Sequence, residues 1–102
     1  MRITFSEQYL AEFHRRANKH LQQAYRKKLK TFRKNPYDSN LDVHPLSHQW
    51  EGHMSFNVTD DYRVIFKRRD DGYLFVAFGN HDQLYRDYLL ERENWSVLIV
   101  VY

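Results

Sequence analysis

A six-residue break, Asn35-Pro36-Tyr37-Asp38-Ser39-Asn40, divides this chain into two stretches with different hydrophobic periods. Proline lacks the amide that a helix interior needs, and the Asn, Asp and Ser side chains bond local backbone instead. Upstream of the break, apolar residues recur every three to four positions; downstream they alternate. A chain divided in this way is neither a helical bundle nor an all-β barrel. It has to bury a helical layer against a sheet, an α+β architecture.

In the first half, residues 2–5 alternate and predict a short strand. Ser6 reads as a helix N-cap with Glu7 in the first turn. Leu10, Phe13, Ala17 and Leu21 follow at helical spacing, and Leu21, Tyr25, Leu29 and Phe32 continue it. One long helix satisfies that spacing. A break near Asn18, Lys19 and His20 suits a small domain better, because a helical hairpin then covers one sheet face.

The second half opens on a loop, 41–49, that contains His44-Pro45-Leu46. Residues 53–58 alternate, with Met54, Phe56 and Val58 on one side and His53, Ser55 and Asn57 on the other. Thr59-Asp60-Asp61 turns the chain into a strand at 62–68. Arg69-Asp70-Asp71-Gly72 signals a hairpin and 73–78 returns. Gly79-Asn80 ends that strand, 81–90 reads as a short helix or turn, and 95–102 is a last apolar strand. Without repeats, linkers or low-complexity tracts, residues 1–102 read as one domain of order β-α-α-β-β-β plus a C-terminal strand.

At 102 residues the chain has no room for a second domain holding its own cofactor. It has no cysteine, so disulfides, thiolate metal sites and a cysteine nucleophile are excluded. No signal peptide is expected, and the longest apolar run, 97–101, is far short of the roughly 20 residues that span a bilayer. A cytoplasmic protein without a membrane partner is the expectation.

Charge is unevenly spread. Residues 1–40 carry ten lysines and arginines against three carboxylates, whereas 41–102 carry six against ten. The basic half suits a polyanion, with nucleic acid the first candidate, although a solvated helix face gives the same pattern.

Four segments, taken together, resemble a known family: Leu41-Asp42-Val43-His44-Pro45-Leu46, Trp50-Glu51-Gly52, Asp61-Tyr62-Arg63-Val64-Ile65-Phe66 and Gly79-Asn80-His81-Asp82-Gln83-Leu84-Tyr85. Over roughly residues 1–88 their order and spacing resemble the RelE/ParE toxin superfamily, closest to its YafQ/RelE-like mRNA interferase branch. The resemblance implies a helical hairpin packed on a twisted antiparallel sheet, with the site on the sheet's open face. It also implies the toxin of a type II toxin–antitoxin pair, cutting mRNA on the ribosome without a metal or cofactor. The expected partners are then a cognate antitoxin, the ribosome and mRNA.

Attack by a ribose 2′-OH on its own phosphodiester needs a base, an acid for the leaving 5′-oxygen and cations for the phosphorane charge. His81 is the candidate acid or base, since histidine changes charge near neutral pH; the alternative is a turn histidine bonded to backbone. Tyr85, four residues on, shares a helical face with it and suits stacking or proton donation, or else is a core aromatic. Arg63 can fork a phosphate, with Lys67 on the same face, unless it pairs with Asp61. His44 and Asp61 match positions the family uses as catalytic histidine and acid. His53, Arg15, Arg16, Lys19, Arg26, Lys27, Lys30, Arg33 and Lys34 are the remaining candidate RNA contacts, touching phosphates without reading sequence.

Two positions depart from the family pattern. An arginine usually stands four residues before the motif histidine, where this chain has Ala77; and the preceding strand offers Ser55 and Asn57, with His53 its only ionisable group. Attenuated or absent cleavage is therefore one expectation. A same-fold toxin that binds a protein such as DNA gyrase is another, and a catalytically silent antitoxin- or ribosome-binding module a third. Zinc is disfavoured: His44 and His48 are four apart, but Pro45 keeps them off one helical turn.

Overall fold

Both halves take their expected form in the computed structural model, which describes residues 1–87. The order is β1 (Arg2–Phe5), α1 (Glu7–Arg16), α2 (Lys19–Lys34), β2 (His44–Pro45), β3 (Met54–Asn57), β4 (Tyr62–Arg69) and β5 (Gly72–Asn80). A helical turn opens at His81 and continues as a π-helix over Gln83–Asp87. The expected strand at 95–102 and the end of the 81–90 segment lie outside the described residues.

The caps explain where the helices start. The Ser6 hydroxyl accepts from the Tyr9 amide at 2.9 Å and donates to Val76 O at 2.8 Å, which ties the start of α1 to β5. The Asn18 side chain accepts from the Leu21 amide, so the hairpin breaks at Ala17-Asn18 as the sequence predicts. One position of the helix stripe departs from its expected place. Leu10 is exposed, while Tyr9 and Glu12 are buried against β5. Phe13, Ala17 and Leu21 do join the core as the spacing predicts, so the burying face of α1 gains Tyr9 and a carboxylate where Leu10 was expected.

Strand order is β1-β5-β4-β3-β2. The sheet is mixed rather than wholly antiparallel, because β1 lies parallel to β5 and the other neighbours are antiparallel. The helical hairpin carries the chain away over one face after β1, and such a crossover permits parallel pairing. Part of the expected 41–49 loop is the edge strand β2, whose His44 faces Ser55. Gly72 is in the strand, with an ordinary φ, and its role differs from the turn role its context suggests. A Cβ there would meet Arg2 O at 1.7 Å, so glycine is what lets β1 approach.

The helix-covered face holds an aromatic core. Phe32, fully buried, packs on Phe56, Phe66, Tyr73 and Phe75 with ring centroids 5.1–5.3 Å apart. The opposite face is different. A bulge places Val76 between the Ile65–Ala77 and Phe66–Phe75 pairs, so Val76 and Ala77 both join a smaller cluster with Trp50, Ile65 and Leu84. Trp50 closes it, donating from Nε1 to Leu84 O at 3.1 Å.

Candidate active site

The β3–β4 turn is built by Thr59, whose hydroxyl accepts from the amides of Asp61 and Tyr62. That turn sets Asp61 beside Arg63, one strand away from the end of β5. There Asn80 and Gln83 form a reciprocal cap: the Asn80 amide donates to Gln83 Oε1 at 2.9 Å, and the Gln83 amide donates to Asn80 Oδ1 at 2.8 Å. His81 is thereby held exposed in the first helical turn, its ring 4.7 Å from that of Tyr85.

These pieces meet around one cleft of about 420 Å³, lined by Asp61, Tyr62, Arg63, Asn80, His81 and Asp82 together with Asp60. Three of the five sequence-predicted catalytic residues, Asp61, Arg63 and His81, therefore share a cleft, and Tyr85 stacks against the third. Among the described residues Arg63 forms no ion pair with Asp61. Its Nε is buried without a partner, as is Oδ1 of Asn57, its cross-strand neighbour. Asn57 donates instead to Asp42.

His44 and Lys67 are not brought to this cleft. His44 is on the edge strand, two strands from β4, which is roughly 10 Å at ordinary strand spacing. Its Nδ1 is 2.9 Å from Asp42 O. Lys67 shares the face with Arg63 but sits four residues along β4, roughly 13 Å away. A joint clamp on one phosphate is therefore corrected to two separated cations. Between them lie Ile65, Ala77, Trp50 and Leu84, an apolar plug where the family pattern calls for arginine. His53 is half-buried beside Trp50, ring centroids 5.5 Å apart.

Arg16 requires a second correction. Its side chain is only 7% exposed, it donates to Phe78 O at 2.8 Å and it lies 3.6 Å from Glu12. A buried guanidinium committed to backbone and carboxylate is no RNA contact. Glu12 accepts from the Phe78 amide at 2.9 Å. Burial pushes its carboxyl above the usual glutamate range, against the pull of the Phe78 amide, Gln8 and Arg16. The other predicted cations, Arg15, Lys19, Arg26, Lys27, Lys30, Arg33 and Lys34, are exposed. Lys27 lines a second cleft of about 540 Å³ with Lys28 and His20. Asp61 and Tyr62 line both clefts, so the two adjoin.

Sequence reasoning passed over Asn80 as a cap, although Asn80…Gln83 has the spacing of a capping box. It also passed over Glu12, which carried a readable signal: three residues after Tyr9 and four before Arg16, it shares their helix face. His44 and His48 stand apart, and among the described residues no three His, Asp or Glu side chains converge as a metal site. No helix among the described residues is long and apolar enough to cross a membrane.

No family model matches the chain, and no curated protein matches its sequence. Solved structures do match its fold. YafQ from E. coli is 23% identical with a TM-score of 0.63, over 82% of this chain and 97% of that one. In the E. coli DinJ–YafQ toxin–antitoxin complex the match is 25% identical with a TM-score of 0.61, over 82% and 96%. The YoeB/ParE toxin from Agrobacterium tumefaciens is 14% identical with a TM-score of 0.64, over 79% and 99%. The chain has the RelE/ParE toxin fold, an α+β arrangement of helices on a five-stranded sheet.

Proposed function

We propose that this protein is the toxin of a type II toxin–antitoxin pair and acts in the cytoplasm as a metal-independent, ribosome-dependent mRNA endoribonuclease. The observation that carries the reading is the cleft that gathers Arg63, His81 and Asp61, with Tyr85 against His81. The match to toxins solved with antitoxins supports the toxin role and a cognate antitoxin as partner.

Within the cleft, Asp61 takes the proton of the ribose 2′-OH as its oxygen attacks phosphorus. The bond to the 5′-oxygen breaks, His81 gives that oxygen a proton, and the products are a 2′,3′-cyclic phosphate and a 5′-hydroxyl. Arg63, which lines the cleft and forms no ion pair among the described residues, holds the non-bridging oxygens as charge builds on them. Tyr85 orients the His81 ring and offers a stacking face. Lys67, His53 and His44 contact neighbouring nucleotides rather than the scissile one. The exposed cations of α1 and α2 bind ribosomal RNA phosphates, and the adjoining Lys27 cleft extends them towards the site.

Three carboxylates line the cleft beside Arg63 and His81, and an apolar plug occupies the Ala77 position. Both features weaken phosphate binding and predict slow cleavage. The plug also favours a second reading, a same-fold toxin that inhibits a protein target by binding. Induction in bacteria with mapping of mRNA 5′ ends separates them. New ends that vanish in His81→Ala support cleavage; growth arrest without new ends moves the function to protein binding.

A further inference from the structure

The end of β5 is held from beneath by α1. Both backbone groups of Phe78 are taken: its amide donates to Glu12 Oε1 at 2.9 Å, and its carbonyl accepts from Arg16 Nη1 at 2.8 Å. Glu12 and Arg16 lie 3.6 Å apart across one helical turn, with side chains 12% and 7% exposed. Gln8 donates to the second oxygen of Glu12 at 3.2 Å. A backbone carbonyl alone does not call for a buried guanidinium, nor an amide for a buried carboxylate, because desolvating each charge is costly. What the pair achieves is fixation of one residue, Phe78, through the peptide units on both its sides.

Phe78 is followed by Gly79, Asn80 and His81. Gly79 is fully enclosed: a Cβ there would stand 2.7 Å from Arg16 Nη1 and 3.0 Å from Gln83 Oε1. Gln83 is the residue that caps Asn80. The helix pair and the cap therefore both close on the space beside one glycine, two residues before the exposed histidine. Gly79 has no positive φ, so the need for glycine here is space.

We propose that Glu12 and Arg16 are positioning residues for His81, acting through Phe78 and the packing at Gly79 to aim its ring at the Arg63 cleft. The inference rests on His81 being the acid of the proposed nuclease, but the aim of the ring is measurable without activity. An error of about 1 Å in a reacting group costs roughly 100-fold in rate. Substrate affinity, set by cations elsewhere on the surface, stays as it was.

The test uses the full chain. In Gly79→Ala the new methyl displaces the Arg16 guanidinium. The His81–Tyr85 ring contacts seen by NMR should weaken, and kcat for ribosome-dependent cleavage should fall about 10-fold to 100-fold with KM within about twofold. Arg16→Lys, added to Gly79→Ala, shortens the side chain and clears the methyl, so ring contacts and part of kcat should return. Arg16→Met keeps the aliphatic stem without the Phe78 bond and should reproduce the loss, which decides the matter if Gly79→Ala fails to fold. Unchanged ring contacts in folded Gly79→Ala or Arg16→Met overturn the proposal. So does a loss that the added Arg16→Lys leaves wholly unrepaired. If the wild-type chain does not cleave RNA, the nuclease reading fails separately and the ring contacts still decide the positioning.

Discussion

The two faces of the sheet solve opposite problems with residues from the same strands. On the helix side, Val64 and Phe66 of β4 and Phe75 and Phe78 of β5 are completely enclosed, and Phe32 from α2 fills the middle. On the other side the same strands present Arg63, Ile65, Lys67 and Ala77, and among the described residues Trp50 and Leu84 cover the middle pair. Among the described residues the closed face leaves one buried polar atom unspent, the Tyr9 hydroxyl, whose polar neighbour is Tyr25. The open face holds three among the described residues: Ser55 Oγ, Asn57 Oδ1 and Arg63 Nε. Unspent capacity of this kind costs stability. Stability and chemistry are thus separated by the pleat, one residue apart along each strand.

The separation makes the two faces respond differently to substitution. His81→Ala, on the open side, should cut cleavage by about 100-fold to 10,000-fold, the usual contribution of a positioned acid or base. The side chain is exposed, so the unfolding free energy should move by less than about 0.5 kcal/mol. Equal losses of stability and activity would break the comparison. Phe32→Ala attacks the closed face and should cost about 3–5 kcal/mol in chemical denaturation. In the fraction that remains folded, antitoxin-free cleavage per folded molecule should be preserved.

Smaller effects sharpen the comparison. Trp50→Phe retains a ring over Ile65 and Ala77 but removes the bond to Leu84 O, and should cost about 1 kcal/mol. Because that bond ties the plug to the segment carrying Tyr85, hydrogen exchange at Leu84 and Tyr85 should quicken while the Phe32 core stays protected. Glu12→Gln should alter mainly the pH dependence. The folded carboxyl sits above its ordinary value, so the folded chain keeps a proton that the unfolded chain has lost. Stability from Glu12 therefore falls as pH rises from the ordinary glutamate value to the raised one, and is level above it. Denaturation midpoints measured across that window should decline less in Glu12→Gln than in the parent chain.

The proline break, the two periods, the cap Ser6 and the break near Asn18 were legible because each is a local instruction: a missing amide, a repeat, a side chain within reach of its own helix. Arg63 and His81 were found as candidates because their residue types fit one reaction, Asp61 because it matches a position of the family pattern, and the fold brought the three to one cleft. What local rules could not supply was distance between strands. Lys67 lies on the right face and too far along it. His44 lies in a matching motif and on the wrong edge.

Sequence alone thus determined that this chain folds as a basic helical hairpin over a sheet, since period and capping are written in neighbouring residues. Tertiary structure decided which charges are free to act. Arg15 and Arg16 are adjacent in the chain, yet one faces solvent and the other is spent beneath β5. The helix twist of about 100° per residue separates them, and the packing of α1 on β5 settles which is which.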